Sequence, residues 1–234
     1  MPWHITLLTL FPEMFPGPLG SSVPGRALKQ KKWTFDTVQI RDFATDNYRS
    51  VDDTPFGGGA GMIMRPDIIE DALLSVTQAS PSRSLRKVYP GPRGRVFNQT
   101  MAAELAQETE IVMLCGRYEG VDQRVLDAHG FEEISIGDYV LFGGEVAAMV
   151  IMEACIRLIP GIVGNESSPD EESFTSGLLE YPQYTRPAKW ESKTGQTIAV
   201  PDVLRSGNHK QISGWRKEKA IDMTKRNRPD LIDV

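Results

Sequence analysis

Hydrophobic and polar positions along the chain alternate between a strand-like and a helix-like period. His4-Ile-Thr-Leu-Leu-Thr-Leu-Phe11 is apolar and β-prone and reads as a buried first strand. Pro12 and the Gly17-Pro18 pair limit any helix after it to a turn or two. Thr34–Ile40 alternates as a half-buried strand does. Pro66 suits the first turn of a helix, Asp67 favours its dipole, and Ile69, Ala72, Leu73 and Val76 share one face. Arg86-Lys-Val-Tyr89 is predicted as a short strand running into a rigid turn, Pro90–Arg95. Asn98 can cap a helix through about Gln107, followed by a strand at Ile111–Leu114, a helix at Val121–Ala128 and a strand at Glu133–Ile136. Strands alternating with helices predict an α/β fold with a mainly parallel, three-layer sheet.

Gly144–Ile159 is the most hydrophobic helical stretch. Its only charges, Glu145, Glu153 and Arg157, fall within a wedge of roughly 120° at 100° per residue. The other faces are expected to be buried, which leaves that wedge for chemistry or a salt bridge. Pro160-Gly161 ends the helix. Gly164–Gly177, with its serines, Pro169 and the acidic run Asp170-Glu-Glu172, has the composition of a flexible linker. Beyond it, Asp202–Arg205 and Ile212–Lys225 suggest a small helical second domain over 178–234, after a first domain over 1–163 and a linker over 164–177. No internal repeat is present.

Composition adds little to this, and charge adds one feature. Forty per cent hydrophobic and 24% charged residues are ordinary globular values. The net charge of −5 is unevenly spread: residues 183–234 hold 11 Lys+Arg against 6 Asp+Glu, and residues 1–182 hold 15 against 25. A basic tail on an acidic body permits local phosphate contact without a general affinity for polyanions. Charge alone fits a solvated basic helix face equally well. Cys115 and Cys155 lack CxxC spacing or paired histidines and read as free thiols of a reducing compartment, with no metal site implied. With no basic n-region, no cleavage site and no apolar stretch long enough for a bilayer, a cytoplasmic protein is expected.

Candidate chemistry lies in the glycines. Cys115-Gly-Arg-Tyr-Glu-Gly120 and Ser135-Ile-Gly-Asp-Tyr-Val-Leu-Phe-Gly-Gly-Glu145 each follow an apolar strand and predict one ligand pocket made of two loops. A further loop, Pro55-Phe-Gly-Gly-Gly-Ala-Gly61, holds four glycines in five positions and must be mobile or ligand-hugging. No GxxxxGK[ST], no GxGxxG after the first strand and no GxSxG occurs, which counts against an ATPase, a Rossmann dinucleotide enzyme and a triad hydrolase. Backbone-lined loops without a lysine clamp suit a ligand free of phosphate, such as an adenosine-based cofactor.

Gly57-Gly-Gly-Ala-Gly-Met62, Cys115–Gly120, Ser135–Leu141, Gly143-Gly-Glu145, Ile159-Pro-Gly161 and Tyr184-Thr-Arg-Pro187 resemble the bacterial tRNA (guanine-N1-)-methyltransferase family. Thr9–Met14, Val51-Asp-Asp53 and Leu204–His209 extend the resemblance over nearly the whole chain. It implies a deep trefoil-knot domain of the SPOUT class, a homodimer, S-adenosylmethionine as methyl donor, and as substrate the guanosine just 3′ of the tRNA anticodon. By motif position the cofactor would touch Tyr89, Pro90, Gly116, Ile136, Gly137, Asp138, Tyr139, Val140, Leu141, Gly143 and Gly144. Gly58, Gly59 and Glu119 would hold the target guanine, and Arg157 matches the family's catalytic arginine. The second domain would contact tRNA.

The resemblance departs at two places. The carboxyl end follows soon after Leu231, and Glu172-Ser173-Phe174 stands where the family usually has Asp-Ser-Phe. Glu172 therefore occupies the position of the catalytic base, with Asp170 and Glu171 as neighbouring rivals. A magnesium ion held partly by substrate would leave little trace in the sequence. The competing readings are an RNA-binding module without catalysis and a knotted methyltransferase acting on another nucleotide.

Overall fold

The computed structural model describes residues 2–78, 85–163, 173–174 and 177–232. The chain divides into two compact units, Met1–Gly164 and Asn165–Val234. The first is an α/β unit whose central sheet contains β1 (Trp3–Thr9), β2 (Trp33–Gln39), β5 (Arg86–Val96), β6 (Glu110–Leu114) and β7 (Glu132–Ser135). Their order is β2-β1-β6-β5-β7 and every pairing is parallel. A separate two-stranded antiparallel ribbon pairs β3 (Asp52–Asp53) with β4 (Ile63–Met64) around the glycine loop.

The sheet is parallel because its inner strands are apolar on both sides. Ile111, Met113 and Cys115 join one core cluster, and Val112 and Leu114 join the other. The first cluster is closed by α1 (Ser22–Lys29), α3 (Gln99–Gln107) and α5 (Gly144–Leu158). The second is closed by α2 (Pro66–Thr77) and α4 (Gln123–His129). A strand covered on both faces cannot alternate with polar residues, so near-continuous apolar runs belong in the middle of such a sheet.

Several helix ends follow from single residues. The Asn98 side chain accepts from the Met101 N–H at 3.0 Å, as the sequence predicts. Asp122 caps α4 in the same way and displaces its start from Val121 to Gln123. Gly130 closes α4 at φ 64°.

Other elements differ from expectation. Helix α1 was not predicted: Pro24 and Gly25 lower its propensity, and packing of Ala27 and Leu28 onto the core stabilises it. The Pro90–Arg95 turn does not end β5. It loops out, so that Pro90 and Arg95 both stand opposite Ile134, and the strand resumes to Val96. On α5 the charged wedge is not the only uncovered face. Val146 and Val150 are half-exposed and form one stripe with Glu153 and Arg157, whereas Glu145 is fully buried.

The second unit contains α6 (Asp202–Arg205) and α7 (His209–Asn227), as predicted, and a hairpin that was not. That hairpin pairs β8 (Lys189–Glu191) with β9 (Thr197–Ala199) through a turn with Gly195 at φ 83°. Thr224 is buried within α7, where its hydroxyl donates to the Ala220 carbonyl and accepts from the Leu179 N–H. Most of the predicted linker, including Asp170, Glu171 and Glu172, lies outside the described residues.

One polar cluster fixes the seam between β5 and β7 from which the loops around the candidate site spring. Arg86 donates to Glu132 through Nε and Nη2 at 3.1 and 2.8 Å, and Arg95 donates to the other carboxylate oxygen. Arg86 also reaches Glu104 and Glu108, at 3.6 and 3.5 Å. Burial alone would raise the Glu132 pKa, but the hydrogen bonds from Arg95 and Arg86 outweigh it and hold the carboxyl below its ordinary value. A depressed carboxylate stabilises the fold above its unfolded pKa and loses that contribution as pH falls through the folded one. Glu132→Gln is expected to lower the melting temperature at neutral pH, with the deficit shrinking as pH falls below about 4. A deficit that stays constant between pH 7 and pH 3 in thermal melts would refute this account.

Candidate functional site

The loop that bulges out of β5 and the loops that follow the adjacent strands β6 and β7 enclose a cleft of about 320 Å³. Tyr89, Pro90, Gly91 and Pro92 come from the first loop, residues 116–120 from the second, and residues 134–141 without Asp138 from the third. Gly143, Gly144 and Ala147, at the start of α5, complete it. The cleft thus brings together ten of the eleven predicted cofactor residues and Glu119. Asp138 is in the same loop but not on the wall. Sequence reasoning missed Gly91, Pro92, Arg117 and Ser135, although each lies inside a glycine-rich segment it had singled out.

The glycines are required because backbone and side chains approach too closely for a Cβ. A Cβ on Gly116 would stand 2.8 Å from the Tyr89 ring, and one on Gly91 would stand 2.5 Å from a Glu133 carboxylate oxygen. At Gly144 it would come within 2.9 Å of the Cys115 Cα, where the Gly144 N–H donates to the Gly116 carbonyl at 2.8 Å. Helix α5 therefore begins directly against the second loop. Gly137, at φ 146°, lets the third loop fold under the Tyr139 ring, whose hydroxyl donates to the Ile136 carbonyl. Ser135 braces the same turn through the Gly137 carbonyl at 3.1 Å.

Behind this wall is a buried polar latch. The Thr9 hydroxyl donates to Glu145 at 2.9 Å and accepts from the Phe11 N–H at 3.0 Å. The second Glu145 oxygen lies 2.9 Å from the Arg117 Nε, an ion pair whose N–H is not aligned on the oxygen. The Arg117 guanidinium also stacks 4.3 Å over the Phe11 ring. Burial first, and then the Glu145 charge, pushes the Cys115 thiol well above its ordinary pKa. Burial likewise raises Cys155 to about 12, so neither thiol is a nucleophile at neutral pH. Tyr89 is raised too, by burial and then by Glu133, and stays a neutral phenol.

The loop carrying Gly58 and Gly59 is tied to the second loop but does not line the cleft. The Glu119 N–H donates to the Met62 carbonyl and the Met64 N–H to the Gly120 carbonyl, both at 2.9 Å. Gly61 presses on the Glu119 side chain, where a Cβ would sit 2.3 Å from Cγ. Gly58 and Gly59 have positive φ and nothing within 4 Å of their ideal Cβ positions, so they project into open space.

Arg157 is elsewhere. It lies thirteen residues along α5 from Gly144, about 20 Å at the helical rise, and lines a second cleft with Arg26, Lys32 and Glu153. Glu172 lies outside the described residues. Among the described residues, no group of three or more His, Cys, Asp or Glu could hold a metal ion, and no helix is long and apolar enough to cross a membrane.

The family model described as tRNA (Guanine-1)-methyltransferase TrmD matches residues 3–234. A protein of Rhodospirillum rubrum named tRNA (guanine-N(1)-)-methyltransferase is 54% identical over 231 residues, covering 99% of this chain and 93% of its own. Proteins of the same name from Bartonella henselae and the Wolbachia endosymbiont of Culex pipiens are each 52% identical. These matches cover 99% and 100% of this chain and 95% and 98% of theirs. With its glycine-walled cleft built on three neighbouring parallel strands and a match that runs the length of the sequence, the chain belongs to the tRNA (guanine-1)-methyltransferase family.

Proposed function

We propose that this chain is an S-adenosylmethionine-dependent methyltransferase that modifies N1 of the guanosine just 3′ of the tRNA anticodon, working as a cytoplasmic homodimer with a knotted first domain. The observation that carries the reading is the cleft itself, whose walls are the motifs of a family matched from residue 3 to residue 234. Its lining fits the proposed donor. Ile134, Ile136, Leu141 and Ala147 offer apolar surface, glycines at 91, 116, 143 and 144 let a flat ligand approach the backbone, and no lysine is present to clamp a phosphate. When bound, S-adenosylmethionine supplies an electrophilic methyl group. A magnesium ion that took part would be held in part by the substrate's own oxygens.

Guanine N1 is protonated at neutral pH and has no free lone pair. A base must remove that proton, and a cation must stabilise the charge that develops on O6. Glu119, whose loop is tied to the glycine loop that carries Gly58 and Gly59, is assigned to accept from the guanine edge. Arg157 is assigned the O6 charge and Glu172 the N1 proton.

The separation of Arg157 from the cleft supports a site shared between two protomers. So does the exposed stripe of Val146 and Val150, with Val140 and Phe142 exposed at 88% and 98% near the same end of α5. A second copy related by a two-fold axis would cover those apolar groups and carry its own Arg157 past the cleft. On this reading 178–234 is the tRNA-contacting domain, joined to the first through the segment 164–177.

Transfer of labelled methyl from S-adenosylmethionine to transcripts with and without that guanosine, followed by nucleoside analysis, tests the activity; label at another nucleoside would overturn the assignment. Arg157→Lys is expected to fold normally yet lose turnover by about 10²-fold or more, because the planar fork is lost while the charge remains. Wild-type turnover would return Arg157 to a structural role. Glu172→Gln should bind cofactor and tRNA but lose turnover by about 10²-fold, with a residual rate that rises with pH as guanine sheds its own proton. Normal turnover of Glu172→Gln beside an inactive Asp170→Asn would move the base two residues upstream. Mixing Arg157→Ala with Glu172→Ala chains should restore roughly a quarter of wild-type activity if each site takes one residue from each protomer. No recovery in verified heterodimers would place both residues in the same half.

A further inference from the structure

We infer that Arg26 binds a backbone phosphate of the RNA, next to the nucleotide whose base reaches Arg157. The inference rests on the methyltransferase reading above and adds to it a second contact surface within the first unit. The cleft that Arg157 lines is larger than the first, about 670 Å³, and lies between α1 and the far end of α5. Among the described residues its charged lining is Arg26, Lys32 and Arg157 against Glu153. That positive excess stands on the part of the chain, residues 1–182, that holds 15 basic against 25 acidic residues. A local cationic cleft on an acidic surface selects for an anion that enters it and repels polyanions elsewhere.

The rim is built rather than incidental. Gly25 lies against the Gly20 carbonyl so closely that a Cβ would come within 2.1 Å of its oxygen. The Trp33 indole donates to the Pro24 carbonyl at 2.9 Å, and Lys32 donates to the Gly161 carbonyl where α5 has ended. Helix α1 is thereby held in one place, with Arg26 on its exposed side beside the cleft. Among the described residues, no carboxylate pairs with the Arg26 guanidinium.

Chain chemistry then identifies the ligand. A nucleotide whose base lies against Arg157 carries phosphodiesters on both sides of its ribose, and these must fall near the same cleft. Guanidinium forks match phosphate oxygens bidentately, so Arg26 suits this contact better than a lone ammonium would. Lys32, already turned to a backbone carbonyl, adds charge to the cleft rather than a second fork.

The test uses the full-length protein and unmodified tRNA transcript. Arg26→Ala is expected to lower kcat/KM for tRNA about tenfold, chiefly through KM. The slope of log(kcat/KM) against log salt should become shallower by about 0.7, the share of one phosphate on a single strand. S-adenosylmethionine affinity and melting temperature should match the wild type, and Arg26→Lys should recover part of the loss. Lys29→Ala, on the same helix but off the cleft, is the control and should leave kcat/KM unchanged. Wild-type KM and salt slope in Arg26→Ala would overturn the inference, as would a KM increase with an unchanged slope, or one accompanied by a lowered melting temperature. Absence of tRNA methylation by the wild-type protein would instead overturn the reading beneath it.

Discussion

The buried carboxylate of Glu145 is the constraint on which the rest of the first unit depends. It sits in the first turn of α5 with no solvent exposure, between the hydroxyl of Thr9 at the end of β1 and the guanidinium of Arg117 in the loop after β6. A carboxylate removed from water costs several kcal/mol unless its partners are in place. Its presence therefore demands that β1, the second loop and α5 meet in one arrangement. The helix N-terminus supplies part of the compensation, since negative charge is favoured there.

That arrangement brings Gly143 and Gly144 onto the second loop and leaves a space walled by backbone. Side-chain-free walls suit a flat ligand, and the same closeness makes the wall intolerant of substitution. At Gly143 a Cβ would meet the Arg117 side chain at 2.4 Å. The shape of the cleft and the buried latch are thus one feature seen from two sides. The substrate chemistry is assigned to a different place, the far end of α5, and a single rigid helix of 15 residues separates the two. A rigid spacer of this kind fits a site completed by a second copy better than one closed within a single chain.

Much of this was legible in the residues. The apolar runs around Ile5 and Ile111 named the inner strands because a strand buried on both faces has little choice of composition. The glycine loops named the cleft because close backbone approach excludes other residue types. Asn98 announced the start of α3 through its own side chain. What sequence could not show were features whose cause is remote. Helix α1 contains both Pro24 and Gly25 and exists because Ala27 and Leu28 find a core. The strand β5 outlasts its own proline-glycine turn because Arg95 and Val96 find Ile134 and Ser135 on β7.

The sequence by itself determined the alternation of strands and helices, the parallel sheet and the loops that form the cleft, since these follow from local period, capping and glycine chemistry. Only the tertiary structure decided that Glu145 is buried while Val146 and Val150 of the same helix are half-exposed. Only it decided that Arg157 belongs to another cleft than the predicted cofactor residues. Burial and separation are set by which segments pack together, and the residues that pack on α5 come from as far back as Thr9.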